Sequence, residues 1–248
     1  MSTEEDLWHA GPLTPDLPFD RLDVWRIHLN PVSSESHEYQ VLAPDEIARA
    51  ERFHFEHHRL RYVNCRRSVR AILGRYLRVP PGDITFAYET NGKPEIVNGQ
   101  NEQQLRFNVS HSSDLAILAV SCDRAVGADI EALRDQPDYL ELAIRYFSDR
   151  EYRDLAALSA DRGQRAFFTC WTRKEAFVKA CGVGLSYPLS EFSVSVRPDV
   201  GAAIEEIKLE PNAVSRWSLI DVQPGDGYVG AVALGNPPCS VTRWNWQC

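Results

Sequence analysis

The sequence predicts an α+β fold of two similar lobes, each with a small antiparallel sheet packed against a long helix. Two observations support this prediction. Each half of the chain reads as a short helix, a long helix and then strands, and Pro or Gly closes each long helix. A boundary at 122–123 therefore divides the chain into an N-terminal lobe, 1–122, and a C-terminal lobe, 123–248.

The N-terminal half opens with a polar, proline-rich segment over residues 1–20, which predicts an irregular lead-in. From Leu22 to Leu29 apolar and polar residues alternate, a pattern typical of a half-exposed strand. A short helix then runs to about Phe53, with Asp45 well placed to cap its start.

A longer helix is predicted over about His57–Leu77, because apolar residues recur close to helical spacing and prolines follow. Short strand-like runs come next, and two of them flank a turn at His111–Asp114. The predicted strands are Ile84–Glu89, Leu105–Ser110, Leu115–Ser121 and Val126–Leu133.

In the C-terminal half, Ser148-Asp-Arg-Glu151 has the pattern of a capping box, which predicts the start of a helix. A long helix follows over about Gln164–Cys181, and Gly182 ends it. Residues 244–248 are either a final strand or a loose tail. The other predicted strands are Phe192–Val196, Ile204–Leu209, Arg216–Val222 and Tyr228–Leu234.

Composition limits the classes of function. The net charge of −8 argues against a general binder of nucleic acid or anionic membranes. No apolar run approaches the roughly 18 residues of a membrane span, and the acidic N-terminus lacks the features of a secretory signal. The six cysteines are scattered without a Cys-x-x-Cys pair, so we expect reduced thiols in the cytoplasm.

Basic residues concentrate in the first long helix. Between His57 and Gly82 there are seven arginines and no acidic residue. This stretch is equally consistent with an anionic partner and with a solvated helix face that pairs with acids from elsewhere in the chain. The arginines are Arg59, Arg61, Arg66, Arg67, Arg70, Arg75 and Arg78.

Two carboxylates interrupt an apolar strand. Asp129 and Glu131 are two residues apart in Gly127-Ala-Asp-Ile-Glu, so both side chains leave the same face of the strand. Carboxylates this close repel each other unless a cation or a proton lies between them, and a hard ion such as Mg²⁺ meets that need. The simpler interpretation is a strand end that reaches solvent.

A third carboxylate lies on the second long helix. Trp171, Glu175 and Lys179 are spaced at i, i+4 and i+8, which places them in one stripe. We expect Trp171 to anchor the stripe on the core, so that Glu175 and Lys179 face the interior or a cleft, where charges need partners. An ordinary surface ion pair between Glu175 and Lys179 is the alternative.

Two further polar groups suit phosphate binding. Phe107-Asn-Val-Ser-His111 ends a strand with donors for phosphate oxygens, although a surface histidine or a Ser–His hydrolase dyad also fits. No Gly-x-Ser-x-Gly elbow precedes the serine, which disfavours the dyad. Gly92-Lys-Pro presents a lysine at a tight turn. The sequence has neither a P-loop nor a Rossmann fingerprint.

These motifs, taken in order, resemble those of one family. Gly92-Lys-Pro, Phe107-Asn-Val-Ser-His, Gly127-Ala-Asp-Ile-Glu and Trp171-Thr-Arg-Lys-Glu-Ala-Phe-Val-Lys are similar to the motifs of the Sfp-type 4′-phosphopantetheinyl transferases. The match spans roughly residues 45–196. It implies a pseudo-dimer with the active site and coenzyme A in the cleft between its lobes. It also implies transfer of the phosphopantetheine arm to a carrier-protein serine, with release of 3′,5′-ADP.

The resemblance also implies roles for single residues. Asp129, Glu131 and Glu175 look like the Mg²⁺ ligands. Glu175 also matches the base for the incoming serine, and Lys179 matches the cation that neutralises the pyrophosphate. The positions that resemble coenzyme A contacts are Arg49, Tyr88, Gly92, Lys93, Pro94, Asn108, Ser110 and His111, with Arg49 and His111 at the 3′-phosphate.

The chain departs from the family pattern at two positions. Ala128 stands where a larger aliphatic residue is usual, which should alter packing rather than metal ligation. His58 stands where many relatives have an aspartate, which leaves the charge pattern at the start of the long helix open.

The implied partners are coenzyme A and acidic acyl or peptidyl carrier proteins of fatty-acid, polyketide or nonribosomal-peptide synthesis. We expect a monomer that binds neither nucleic acid nor membranes. Two other functions fit the residues: a Mg²⁺-dependent phosphodiesterase or nucleotidyl transferase, and a catalytically silent coenzyme A-binding module. The acidic net charge counts against nucleic-acid chemistry, and the intact carboxylate set with Lys179 counts against the silent module.

Overall fold

Helices and strands occur in both halves of the computed structural model, which describes residues 7–30, 39–88, 92–184, 187–197, 200–236 and 240–247. The presence of helices and strands in both halves confirms the predicted mixed α+β class. Contacts divide the chain into two units. The first unit is 1–123 together with 240–248, and the second is 124–239.

One five-stranded sheet organises the first unit. Its central strand is β2 (Arg21–His28), which lies between β6 (Leu115–Cys122) and β12 (Ser240–Asn245). The strands β5 (Leu105–Ser112) and β6 are antiparallel, whereas β12 runs parallel both to β2 and to β1 (His9–Ala10). The sheet is therefore mixed, and the prediction of an antiparallel sheet in this lobe was wrong.

The C-terminal strand joins the first unit rather than the second. Backbone pairs from Ser240–Arg21 to Asn245–Arg26 align β12 with β2, and Arg26 Nε donates to Asn245 Oδ1 at 2.8 Å. The sequence places this segment in a lobe of residues 123–248, because nothing local in a strand shows which sheet it will join. The structure corrects that placement for residues 240–248.

Two helices precede the middle strands of the first unit. Helix α1 (Pro44–Ala50) begins at Ala43, whose N–H donates to Glu46 Oε2 at 2.9 Å. Asp45 lies in the first turn and does not cap the helix, so that prediction was wrong. Helix α2 (Glu56–Leu77) packs its apolar side chains on β2, β5 and β6. A small hairpin follows, formed by β3 (Phe86–Tyr88) and β4 (Pro94–Ile96).

Most arginines of α2 pair with acids of the same unit: Arg59 with Glu56, Arg61 with Asp114, and Arg66 and Arg70 with Glu46. Glu46 is buried, and Arg70 Nε lies 2.6 Å from Glu46 Oε2. For these four arginines the structure favours the interpretation of a helix face paired within the chain. Arg67 and Arg78 are exposed.

A buried polar cluster lies under β2. Asp23 is fully buried and accepts hydrogen bonds from Tyr76 Oη at 2.6 Å and from Arg21 Nε at 2.9 Å. The strand is therefore almost wholly inside the unit, and the predicted half-exposed strand was wrong. The Asp23 carboxylate is hydrogen-bonded to partners inside the unit rather than to water. Burial raises the pKa of Asp23, and the bonds to Tyr76 and Arg21 only partly oppose that effect.

The raised pKa predicts a pH effect on stability. The folded state holds the Asp23 proton more tightly than the unfolded state does. Protonated Asp23 therefore contributes to the free energy of unfolding below the unfolded pKa of about 4. That contribution is lost as the pH rises through the higher folded pKa. We expect the free energy of unfolding, measured in urea from pH 3.5 upwards, to fall relative to that of Asp23→Asn. Parallel curves for the two proteins would contradict this expectation.

The second unit is built around helix α5 (Ala160–Cys181), which packs on β7 (Val126–Ala132) and β11 (Tyr228–Gly235). Strand β10 (Trp217–Val222) completes an antiparallel sheet in the order β10-β11-β7. Gly182 ends α5 in the left-handed region at φ 69°, as predicted. Among the described residues no helix is long and apolar enough to cross a bilayer.

The rest of the second unit includes two short helices and a pair of short strands. Ser148 Oγ accepts from the Glu151 N–H at 3.3 Å, and Glu151 Oε2 accepts from the Ser148 N–H at 2.8 Å, which confirms the predicted capping box. The sequence predicted no helix at Tyr139–Tyr146, where the structure has one. The elements are α3 (Tyr139–Tyr146), α4 (Asp149–Ala156), β8 (Phe192–Val194) and β9 (Ile204–Ile207).

Candidate active site

One stripe of α5 remains accessible. Between residues 171 and 180 only Trp171, Glu175 and Lys179 are partly exposed, and the other seven are buried. Trp171 packs its ring on Phe167, at a centroid distance of 6.0 Å. This confirms the predicted stripe and its aromatic anchor on the core.

The neighbouring faces of α5 are fixed by two ion pairs, of which one is fully buried. Lys174 is fully buried, and its Nζ lies 2.7 Å from both carboxylate oxygens of Glu151 and 2.7 Å from the Phe192 carbonyl oxygen. Arg173 binds Asp221 with Nε–Oδ1 at 2.9 Å and Nη2–Oδ2 at 2.6 Å. Because these pairs fix the rotation of α5, Glu175 is held on the accessible side.

Sequence reasoning missed the role of these supporting residues. Glu151 stood out only as the last residue of a capping box, and Lys174 only as part of the helix motif. The signal was the occurrence of two charged residues at helix positions that face the core, since buried charges require partners.

A glycine brings the carboxylate strand onto the helix. A Cβ built at Gly127 would lie 2.2 Å from both the Ala176 carbonyl oxygen and the Ala180 nitrogen. The β7 backbone therefore touches the α5 backbone directly, and only glycine allows that approach. Asp129 follows two residues later on the same face of β7.

The close approach places the strand carboxylates beside the helix cation. Lys179 Nζ lies 2.6 Å from Asp129 Oδ1, and the Asp129 side chain is almost entirely buried. Glu131 has an ion pair with Arg134 at 3.0 Å, which is more exposed. Lys179, Asp129, Glu131 and Glu175 thus form one group in the second unit. The alternative of a simple Glu175–Lys179 surface pair does not describe it.

The charges of Asp129, Glu131 and Lys179 act on the carboxyl group of Glu175. Burial raises the pKa of its carboxyl, Lys179 lowers it, and the negative charges of Asp129 and Glu131 raise it further. The net result is a raised pKa. A carboxyl in such a field is poised to take up a proton more readily than an exposed glutamate.

The donor chemistry of this group fits a hard cation. In the part of the chain that the structure describes, no three His, Cys, Asp or Glu side chains form a ready-made metal cage. Three carboxylates nevertheless supply the oxygen ligands that Mg²⁺ prefers, and their repulsion is the one that a divalent cation relieves. In this structure the positive charges of Lys179 and Arg134 offset part of the repulsion between the carboxylates. The assignment of the three carboxylates as ligands stays a prediction.

Two of the residues predicted to contact coenzyme A lie near each other in the first unit. Tyr88 Oη donates to Asp45 Oδ2 at 2.9 Å, and Asp45 lines an open hollow that Arg49 also lines. Burial, with a smaller effect of the bond to Asp45, raises the pKa of Tyr88 to about 12. The Arg49 guanidinium lies 5.4 Å from the ring centre of Tyr62.

The other predicted contacts lie on two strands and a turn. Asn108, Ser110 and His111 belong to β5, an edge of the main sheet; the first two are buried and His111 is exposed. Gly92 has φ +78°, and Pro94 starts β4 opposite Tyr88. Lys93 lies between them, and residues 89–91, which include the predicted strand end at Glu89, lie outside the described residues.

Family models match both halves of the chain. One model, described as the 4′-phosphopantetheinyl transferase superfamily, matches residues 125–233. A second, described as 4′-phosphopantetheinyl transferase, N-terminal, matches residues 29–123. The first match includes every member of the group around Glu175.

Curated relatives agree over almost the whole length. The 4′-phosphopantetheinyl transferase HetI of Nostoc sp. is 40% identical and covers 97% of this chain and 95% of the relative. The 4′-phosphopantetheinyl transferase Sfp of Bacillus subtilis is 31% identical, with 91% and 99% covered, and psf-1 of Bacillus pumilus is 35% identical, with 80% and 85% covered. The chain belongs to the 4′-phosphopantetheinyl transferase family.

Proposed function

We propose that the group around Glu175 is the catalytic centre at which the protein transfers 4′-phosphopantetheine from coenzyme A to a serine of a carrier protein. The observation that carries this proposal is the meeting of the β7 carboxylates with Glu175 and Lys179 on the accessible side of α5. A rigid strand and helix hold the charged groups in place before the substrates arrive, which reduces the reorganisation required during the reaction.

The chemistry is a displacement at phosphorus. The serine oxygen forms a new bond to the phosphorus of the phosphopantetheine arm, the bond from that phosphorus to the bridging oxygen breaks, and 3′,5′-ADP leaves. Glu175 takes the serine proton as the hydroxyl attacks. The Lys179 ammonium neutralises charge on the pyrophosphate.

Asp129, Glu131 and Glu175 would hold Mg²⁺. When bound, the ion supplies positive charge that stabilises the pyrophosphate and the leaving oxygen. Lys179 now pairs with Asp129, so its ammonium would turn towards the substrate once another cation compensates the aspartate.

We place coenzyme A in a cleft between two lobes of a pseudo-dimer, because the resemblance to the Sfp type implies that arrangement. In this proposal Arg49 and His111 meet the 3′-phosphate. The other contacts come from Tyr88, Gly92, Lys93, Pro94, Asn108 and Ser110. We also propose that the enzyme acts as a monomer in the cytoplasm and serves fatty-acid, polyketide or nonribosomal-peptide carriers.

Mass spectrometry of the carrier tests this function. The protein is incubated with coenzyme A, Mg²⁺ and an apo-carrier protein, and the intact carrier is weighed. A gain of one phosphopantetheine supports the transferase. A carrier whose attachment serine is replaced by alanine is the matched control and should gain nothing. Hydrolysed coenzyme A with an unmodified carrier would select the phosphodiesterase instead, and no change at all would select a silent binder.

Electrostatic attraction of an acidic carrier is a finer part of the proposal. Arg67 and Arg78 are exposed, and neither forms an ion pair with another described residue. We expect added salt to raise the KM for the carrier and to leave kcat nearly unchanged, because screening weakens the encounter. The measurement is the initial rate of carrier modification against carrier concentration at several salt concentrations.

Neutral replacements of the two exposed arginines test whether they attract the carrier, and a replacement in the second unit is the control. Arg67→Gln with Arg78→Asn should flatten the salt dependence, and asparagine tolerates the left-handed backbone of position 78 (φ 59°). Lys208→Gln removes a positive charge from the second unit and should leave the salt dependence as it is. A KM that ignores salt in the unmodified protein would reject electrostatic docking at this helix.

A further inference from the structure

A cavity of about 500 Å³ lies within the second unit, on the side of α5 that faces away from Glu175. Phe177 and Cys181 line it. Each lies two positions beyond a member of the accessible stripe, Glu175 or Lys179, and two residues turn a helix by about 200°. The cavity is therefore separate from the candidate active site.

Three aromatic rings shape this cavity. The rings of Trp217 and Tyr187 both stand almost perpendicular to the ring of Phe177, at angles of 86° and 87°. Their centroids lie 5.2 Å and 6.3 Å from that of Phe177. Phe177 is buried, while Trp217 and Tyr187 are partly exposed, and all three line the cavity. Among the described residues no Arg or Lys stacks on any of these rings.

A helix end and a carboxylate near the rings favour a cation over an anion. The carbonyl end of α5 points towards this region, and a helix C-terminus favours cations. Glu210 lies on the rim. Burial raises the pKa of the Tyr187 hydroxyl, and the carboxylates of Glu210 and Glu191 raise it further. The two carboxylates therefore disfavour an anion beside Tyr187.

One positive side chain also lines the rim. Arg216 Nη2 lies 2.6 Å from Glu210 Oε2, and both side chains are mostly exposed, at 61% and 67%. Such an exposed pair is weak and is exchanged easily for another partner. Another cation can therefore compete with Arg216 for the Glu210 carboxylate.

We propose that this cavity binds a small organic ammonium ion. The ammonium group would lie against the faces of Trp217 and Tyr187 and close to Glu210, with its apolar substituents on Phe177. Aromatic faces attract cations, most strongly when water is excluded, and the Glu210 carboxylate adds to that attraction once the ligand replaces Arg216 as its partner. A neutral apolar ligand would use the rings but gain nothing from the rim.

Calorimetric titration of the full chain with choline and with 3,3-dimethylbutan-1-ol tests the proposal. The alcohol has the shape of choline with carbon in place of the charged nitrogen. We expect choline to bind about tenfold or more tightly than the alcohol, from cation–aromatic attraction in a sheltered site. Equal affinities would overturn the proposal in favour of a plain apolar cavity. No detectable binding of choline would overturn it as well.

Variants locate the binding. Tyr187→Leu and Glu210→Gln should each weaken choline several-fold, and Glu210→Gln should leave the affinity for the alcohol unchanged. Tyr152→Leu removes a partly buried aromatic ring of α4 that does not line the cavity, and it should not alter choline binding. Glu210 is exposed, so the Gln variant is expected to fold even if an aromatic replacement does not. If both cavity variants bind choline as tightly as the unmodified protein does, choline binds elsewhere and the proposal is rejected.

Discussion

Replacing Glu175 by glutamine is expected to lower the rate of carrier modification by a hundredfold or more. Glutamine keeps the shape of the side chain but cannot take the serine proton, and it removes one negative charge from the predicted metal site. Loss of one preorganised electrostatic group typically costs about 3–4 kcal/mol of barrier, which corresponds to such a factor. The rate is measured from the mass of the carrier under single-turnover conditions, and coenzyme A binding is measured separately by calorimetry.

The same variant should fold normally and still bind coenzyme A measurably. Burial and like charges raise the pKa of Glu175, so the ionised carboxylate is unfavourable in the metal-free folded state. Its neutral isostere should therefore leave the Tm unchanged or raise it. Glu206→Gln, at an exposed position of β9, is the matched control and should be fully active. An active Glu175→Gln enzyme would remove Glu175 from the mechanism.

Adding a single methyl group at Gly127 is expected to damage both stability and catalysis. The new Cβ would lie 2.2 Å from two backbone atoms of α5, whereas ordinary contacts begin at 3.4 Å, so β7 and α5 must separate by about 1 Å. Backbone atoms cannot move aside as a side chain can, and overpacking typically costs about 1–3 kcal/mol. We expect Gly127→Ala to lower the Tm by several degrees in thermal unfolding.

The catalytic loss should exceed what the loss of stability explains. A shift of about 1 Å would displace Asp129 and Glu131 relative to Glu175, and a misplacement of that size can cost about a hundredfold in rate. Gly235→Ala, on the adjacent strand β11, is the control, because its Cβ would meet nothing closer than 3.6 Å. The rates are compared at a temperature where both variants are folded. If Gly127→Ala equals Gly235→Ala both in Tm and in rate, the contact of Gly127 with α5 does not position the site.

Local sequence signals sufficed for the two long helices and for the stripe on the second of them. The repeating apolar positions of α5, the capping box at Ser148 and the glycine stop at Gly182 all act within a few residues of themselves. The stripe of Trp171, Glu175 and Lys179 follows from the same helical spacing, so their shared face could be predicted before any tertiary contact was known.

Contacts between distant segments could not be predicted in the same way. The Lys174–Glu151 pair joins residues 23 positions apart and depends on the packing of α5 beside α4. The backbone contact of Gly127 with Ala176 and Ala180 depends on the packing of β7 on the helix. The prediction of a half-exposed strand at β2 was wrong because Tyr76 and Arg21 bind Asp23 and so compensate the cost of its burial. Each case is a tertiary interaction that overrides a local preference.

The insertion of β12 beside β2 has a consequence for synthesis on the ribosome. Residues 124–239 are continuous, so the second unit can fold as soon as it leaves the exit tunnel. The sheet of the first unit must wait with a vacant place between β1 and β2 until residues 240–245 emerge. The usual order, in which the leading part of a nascent chain matures first, is thus reversed. A chain that ends at residue 239 and is tethered to the ribosome by a flexible linker long enough to clear the exit tunnel should show a protease-resistant second unit and a protease-sensitive first one.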